Sequence, residues 1–443
     1  MRAGLVVLVA VVGASAAQAS GGWSAPRELG TLPFADIGEV ARIGDELIVG
    51  AEHYARIARA ETCLHVAPPA GYTAVGVLDG RISPRAVLSG DIIAGPIAYG
   101  RAGALAITSR STGISAVECY PLGSASLTWL SPDGRVRGTV ALPDGDDTIE
   151  AKLAPDGTGG FVAAWVQQHA ATPTLHADRL QIALISADGT VSAPRAIAQT
   201  TATPDDVGIG DIAIAPEPRA DIAILYTERR KVVLAERDRL GHMRWTLVSR
   251  LNGTADEVRL GVSRSGGLIA AWSDFYGFLE PGGTEVFVGS RPPGGVDFTH
   301  RRRLDRGGSE ETGYDLWLAV TPKGHAAVEW DNVEGDSDAQ QVWLSTGSLR
   351  GGFSRARRLA RSGYAAGVVA APGGSALATW GASNGLTARV IGLDAGTTGP
   401  AQIVAPRDGG VVKAIWFDGH RPSIVWVSED RRDVGHLRIV HQR

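Results

Sequence analysis

The chain has 443 residues, of which 44% are hydrophobic, 6% aromatic and 20% charged, with a formal net charge of −4. That apolar fraction excludes a disordered chain, and the balanced charge, with a pI near 6.2, gives no electrostatic reason for a nucleic-acid partner. The 58 glycines and 23 prolines follow no fixed glycine period, which points to many turns and excludes a collagen-like rod.

Met1-Arg2, the apolar run 3–12 and the small-residue ending Ala17-Gln18-Ala19 have the form of a secretory signal peptide. Residues 1–19 are therefore expected to be a cleaved leader and 20–443 a single mature domain. The apolar run is too short to cross a bilayer. The first cysteine is Cys63, so none sits at the cleavage site to carry a lipid. An exported protein is expected, secreted or periplasmic, without membrane insertion.

Beyond residue 20 the chain repeats itself. Gly22-Trp23-Ser24-Ala25-Pro26-Arg27-Glu28-Leu29 is echoed by Ile82-Ser83-Pro84-Arg85-Ala86-Val87-Leu88 and Val191-Ser192-Ala193-Pro194-Arg195-Ala196-Ile197, with weaker copies at 298–304 and 353–359. In a second phrase a glycine turn leads to a run ending in tryptophan, as from Asp156-Gly157 to Trp165, Gly266-Gly267 to Trp272 and Gly324 to Trp330. Gly373-Gly374 leads likewise to Trp380, and Gly419 to Trp426. Each unit resolves into four runs of about 5 to 8 residues, here A to D, in which apolar and polar residues alternate. A period of two between turn residues predicts strands, with A and B forming the hairpin that ends at tryptophan.

The D phrases begin near residues 22, 82, 136, 191, 243, 296, 352 and 398, which makes eight units of roughly 53 residues. The expected fold is all-β: an eight-bladed β-propeller of four-stranded antiparallel blades, with seven blades the alternative. The chain opens with a D run and closes with A, B and C, so the N-terminal strand should complete the last blade and close the ring. The recurrent tryptophan, replaced by Tyr226 in one unit, belongs in the widening gap between blades, not on a carbohydrate platform.

Gly-Gly-Phe-Ser-x-x-Arg-x-Leu from Gly351, followed by Ala-Pro-Gly-Gly-x-Ala-Leu-Ala-Thr-Trp from Ala371, resembles secreted bacterial β-propeller repeat proteins, themselves loosely similar to the sialidase-like superfold. The resemblance implies a fold across the mature chain and says little of activity. The Ser-x-Asp-x-Gly-x-x-Trp box of sialidases is absent, as are WD40 and kelch signatures. Function has to be argued from a site.

In such a propeller the A–B and C–D turns share one face and the B–C and D–A connections the other. The first set is short and glycine-bearing; the second is variable, and long at 52–72 and 109–124. Variable loops on a rigid scaffold point to the B–C/D–A face as the binding face. Acidic pairs stand there in four successive D–A connections: Asp146-Asp147, Asp205-Asp206, Asp256-Glu257 and Glu310-Glu311. Asp274 and Asp331 join them at the ends of B runs. A ring of carboxylates at a channel mouth could hold Ca²⁺ or a cationic ligand, or supply paired acids for glycoside chemistry; it could equally be solvated loop charge. Cys63 and Cys119 fall in the two long B–C insertions of neighbouring units, where an oxidising compartment favours a disulfide between them. Gly381-Ala382-Ser383-Asn384-Gly385 matches the letters of a nucleophile elbow, but between two strands it reads as a hairpin turn.

These readings converge on an exported, monomeric, non-enzymatic binding module for an extracellular glycan, peptide or protein. The alternative is a glycan-processing hydrolase or lyase using carboxylates at the channel mouth. No cofactor is expected unless Ca²⁺ binds.

Overall fold

The computed structural model describes residues 22–33, 35–43, 46–54, 69–78, 81–84, 92–100, 103–114, 121–130, 136–142, 148–156, 159–172, 175–203, 208–216, 222–254, 257–276, 283–305, 315–333, 340–371, 373–394, 396–406, 410–418, 421–429 and 434–442. The alternation read in the sequence becomes strand throughout, and the described residues contain no helix. The described strands form eight antiparallel sheets, each taking four runs in the order A-B-C-D. In the sixth and seventh sheets run D is broken into two short pieces: Gly352–Phe353 with Arg357–Ala360, and Thr397–Thr398 with Gln402–Pro406.

The A strands in chain order are Ala35–Ile43, Ile92–Gly100, Thr148–Pro155, Ile209–Ala215, Val258–Val262, Leu316–Val320, Tyr364–Ala370 and Val411–Asp418. Each lies beside the A strand of the next sheet, and the eighth lies beside the first. Arg27–Pro33 is the outer strand of the last sheet, paired with Val434–His441. Ser24 N donates to His441 O at 2.8 Å, tying the start of the described chain to its end, and Trp23 Nε1 donates to Gln402 Oε1 of the seventh sheet at 2.7 Å. This is a β-propeller.

Both faces of B strands such as Ile222–Glu228 and Ser375–Ala382 are buried, which explains why these runs read as nearly continuous apolar stretches. In Ile222–Glu228, Ile222, Ile224 and Tyr226 pack with Val162, Leu180 and Ile182 of the third sheet. The intervening Ala223 and Leu225 pack with Val258, Leu268 and Trp272 of the fifth. The large ring that closes the B run faces the preceding sheet in the third to eighth sheets. Trp165, Trp272, Trp330, Trp426 and Tyr226 are all at most 2% exposed, so they are core, as their position in the repeat predicted.

The A–B hairpins are built alike. Thr321 N donates to His325 O at 2.8 Å, and His325 N returns a bond to Thr321 Oγ1 at 3.1 Å; Ser263 and Gly267 do the same one sheet earlier. Gly324 sits at φ +83°, where an L side chain is strained. The stretch around Ser383 is a two-residue turn joining Ser375–Ala382 to Gly385–Gly392, with Ala382 paired to Gly385. It has no strand-to-helix turn and therefore none of the geometry of a nucleophile elbow.

Candidate functional site

Inner strands bring charged side chains together where the sheets meet. Glu150 and Lys152 stand on the A strand of the third sheet, Asp211 on that of the fourth and Arg259 on that of the fifth, with Glu257 just before it. Lys152 Nζ lies 2.8 Å from Glu150 and 3.5 Å from Asp211. Arg259 bridges onward, 3.0 Å from Asp211 and 3.1 Å from Glu257. Burial pulls the Lys152 ammonium down, but the charges of Glu150 and Asp211 more than offset it and leave it raised.

A second pattern explains why acids occupy these places. A backbone amide in the first two residues of each of four successive A strands donates to a carboxylate of the preceding sheet. Ile209 N meets Asp178 at 2.8 Å, Val258 N meets Asp211 at 2.9 Å, Leu316 N meets Glu257 at 2.7 Å and Ala365 N meets Asp331 at 2.8 Å. An amide at a strand end has no ladder partner, and a buried amide left unpaired is costly. A carboxylate reaching across the seam satisfies it and clamps one sheet to the next.

Of the acids expected to form an anionic rim, Glu257, Asp274 and Asp331 are described, and each is engaged by backbone amides. Asp274 accepts from Asn252 N and Gly253 N, both at 2.9 Å. Asp331 also accepts from Asp315 N at 3.2 Å. Burial pushes Glu257 up to about 7 against the opposing charge of Arg259. Burial likewise takes Asp331 up to about 7, with the nearby charge of Asp315 adding to it and the Ala365 amide opposing. Asp146, Asp147, Asp205, Asp206, Asp256, Glu310 and Glu311 lie outside the described residues, as do Cys63 and Cys119. Among the described residues, no group of three or more His, Cys, Asp or Glu side chains is arranged to hold a metal ion.

Glu329 was missed. It is fully buried on a B strand, cross-strand from Trp317, with neither carboxylate oxygen in a hydrogen bond of normal geometry. Burial raises its carboxyl well above 4.5; the charges of Asp331 and Asp315 add to this, and the Thr379 backbone amide opposes it. The repeat carried the signal, since the residue before the closing ring is Ala164, Leu225, Ala271, Thr379 or Val425 elsewhere.

A concave site lies in the seam between the fifth and sixth sheets, with a cavity of about 550 Å³. Arg302, Arg303 and Leu304 from the outer strand of the fifth sheet form one wall, and Trp343, Arg355 and Ala356 of the sixth form the other. Asp305 lines it too, at the end of the D run from which the connection to the sixth sheet leaves. It accepts from Trp330 Nε1 at 3.0 Å and from Asn332 Nδ2. Asn332 in turn accepts from Trp343 Nε1 at 2.9 Å, and Arg358 lies 5.8 Å from the centroid of the same ring, so the indole is held as a fixed wall. Arg302 donates to Phe353 O across the seam, and Arg303 pairs with Glu285. Arg355 is exposed and has no ion pair or hydrogen bond among the described residues.

No protein-family model and no curated protein matches the chain. Solved structures do. The chain is similar to Sqt1 of Chaetomium thermophilum, bound in that structure to the N-terminus of ribosomal protein L10, at 12% identity over 93% of this chain and 99% of that one, with a TM-score of 0.53. It also matches the propeller domain of the Trilobed protease of Pyrococcus furiosus, at 8% identity over 80% and 95% of the two chains and a TM-score of 0.43. The Dos1 propeller aligns at 8% identity over 77% and 83%, with a TM-score of 0.44. At these identities the likeness is one of fold: the chain is a β-propeller.

Proposed function

We propose that the chain is an exported, non-catalytic binding module that engages an extracellular glycan, peptide or protein at the face carrying the B–C and D–A connections. The seam cleft supports this reading most directly. It combines a fixed aromatic wall with guanidinium donors on a rigid two-sheet frame, as binding sites commonly do. A solved propeller of similar shape holds a peptide, which brings peptides into the test. The rival reading, a glycan hydrolase or lyase, draws on Glu257 and Asp331, because carboxyls titrating near 7 suit acid–base work. Each of these is already engaged by a backbone amide of the next sheet, a structural duty that accounts for its place. Purified mature protein would be screened against glycan, polysaccharide and peptide panels for both binding and turnover. Binding without turnover is the expected result. Turnover that Glu257→Gln or Asp331→Asn abolishes would overturn the reading in favour of the enzyme.

A further inference from the structure

We infer that the outer part of the seam between the sixth and seventh sheets holds a tetrahedral oxyanion, a phosphate or sulfate group, between Arg357 and Arg389. This site is separate from the cleft beside Trp343 and independent of any ligand that cleft takes.

Register brings the two arginines into one seam. Arg357 lies on the outer strand of the sixth sheet, cross-strand from Leu344, and Arg389 on the C strand of the seventh, cross-strand from Ala378. Cross-strand partners share a sheet face. Leu344 and Ala378 belong to one core cluster that joins the two sheets, so both guanidiniums project into that seam from opposite walls. Arg357 Nη1 crosses it to donate to Thr398 Oγ1 of the seventh sheet. Arg389 lies against the indole of Trp380, its Cζ 5.8 Å from the ring centroid, which fixes the guanidinium in place. Arg357, Arg389 and Thr398 are all half-buried, so solvent reaches each of them.

The charges there are unbalanced. Among the described residues no carboxylate pairs with Arg357 or Arg389. The described acids of the same seam have other partners or surroundings. Asp394 lies 3.1 Å from Lys323 and 3.4 Å from His325, so its charge is met by a cation of its own. Asp331 accepts from the amides of Asp315 and Ala365. Glu329 stands in the row of Arg357 with Leu344 between them, and burial and neighbouring acids raise its carboxyl. Burial and the like charge of Arg389 lower Arg357, so the two cations oppose each other. Arg389 Nε is in addition buried with no hydrogen-bond partner. Two like charges held together in a half-buried seam cost free energy that a bound anion offsets.

The donors select the shape and charge of that anion. Thr398 Oγ1 accepts from Arg357, so its own O–H remains to donate. The second terminal nitrogen of Arg357 and both terminal nitrogens of Arg389 have no described acceptor. Two guanidiniums and a hydroxyl approach from three directions, which suits an anion with at least three oxygens better than a planar carboxylate. Two positive charges match a dianion.

The test is calorimetric titration of the full mature chain with sodium phosphate, sodium sulfate, glycerol 1-phosphate and sodium acetate, at constant ionic strength balanced by chloride. Phosphate or sulfate should bind with a Kd of about 1 mM, as two charge-assisted contacts allow, and acetate at least about tenfold more weakly. Arg357→Met and Arg389→Met each keep an apolar stem, remove one of two opposing charges and should weaken binding about 10- to 100-fold. Thr398→Val leaves both charges in place and should weaken it about 3- to 10-fold, which tests the site even where a methionine variant folds poorly. Arg350→Met, at an exposed C–D turn residue with no described partner, should change nothing. Glycerol 1-phosphate binding as tightly as inorganic phosphate assigns the site to a phosphoryl group carried on a larger ligand; tighter binding of the inorganic ions assigns it to a free ion. Acetate binding as tightly as phosphate, no binding of either dianion, an unchanged affinity in a methionine variant or in Thr398→Val, or an equal loss in Arg350→Met would each overturn the assignment.

Discussion

Glu329 is a buried carboxyl whose ionisation the fold opposes, and replacing it should stabilise the protein in a pH-dependent way. The side chain is 0% exposed and neither oxygen is in a hydrogen bond of normal geometry; burial and the charges of Asp331 and Asp315 raise its carboxyl above 4.5, with the Thr379 amide opposing. In the unfolded chain the same group is ionised at neutral pH. Each pH unit above 4.5 over which the folded chain holds the proton therefore subtracts about 1.4 kcal/mol from stability. Glu329→Gln keeps the shape and removes the ionisation, so its advantage over the native chain should be larger at about pH 7.5 than at about pH 5.5. Glu329→Leu also removes the unpaired polar atoms, adding about 1 to 3 kcal/mol that does not vary with pH. Guanidinium unfolding midpoints of the three proteins at both pH values read these differences directly. A Gln variant that is less stable than the native chain, or equally advantaged at both pH values, would show that the carboxyl is ionised and satisfied.

Gly324→Ala forces a side chain onto φ +83° and places its Cβ 2.4 Å from Leu349 Cδ1, so a loss of about 1 to 3 kcal/mol is expected; an unchanged melting temperature would refute it. Arg259→Met unlinks Asp211 from Glu257. Its side chain is 28% exposed, so the expected loss is discounted to about 1 to 3 kcal/mol, and it should shrink as acid protonates Glu257; a deficit that is constant with pH contradicts the pairing. Glu257 and Asp331 titrate at about 7 in the fold against 4.5 and 3.8 unfolded, so the folded chain holds more protons between those values. Their contribution is complete at acid pH and lost as pH rises through 7, at a cost of at most about 3 kcal/mol for Glu257 and about 4 kcal/mol for Asp331. Unfolding midpoints should fall from pH 5 to pH 8 and recover part of that fall in Asp331→Asn; a rising midpoint would rule this out.

Much of the architecture was legible because it depends on neighbours in the chain. The D phrases near 136, 191 and 243 become outer strands of the second, third and fourth sheets, and the glycine turns become A–B hairpins. The tryptophans that end the B runs are buried against the preceding sheet because a period of two sends alternate residues to opposite seams. Even Gly381–Gly385 could be recognised as a hairpin from the strands on either side.

Local pattern does not reveal which polar residues meet across a seam. Asp211 and Arg259 are 48 positions apart in the chain and 3.0 Å apart in space. Glu257, Asp274 and Asp331 each receive amides from an adjoining sheet or connection, a duty that exists only once the sheets stand side by side. Arg302, Trp343 and Arg355 likewise carry no shared motif and converge through the packing of the fifth and sixth sheets. Strand identity follows from side-chain periodicity within one run, which sequence displays. Partnership across sheets follows from register and inter-sheet spacing, and these are set when whole sheets bury their faces against each other.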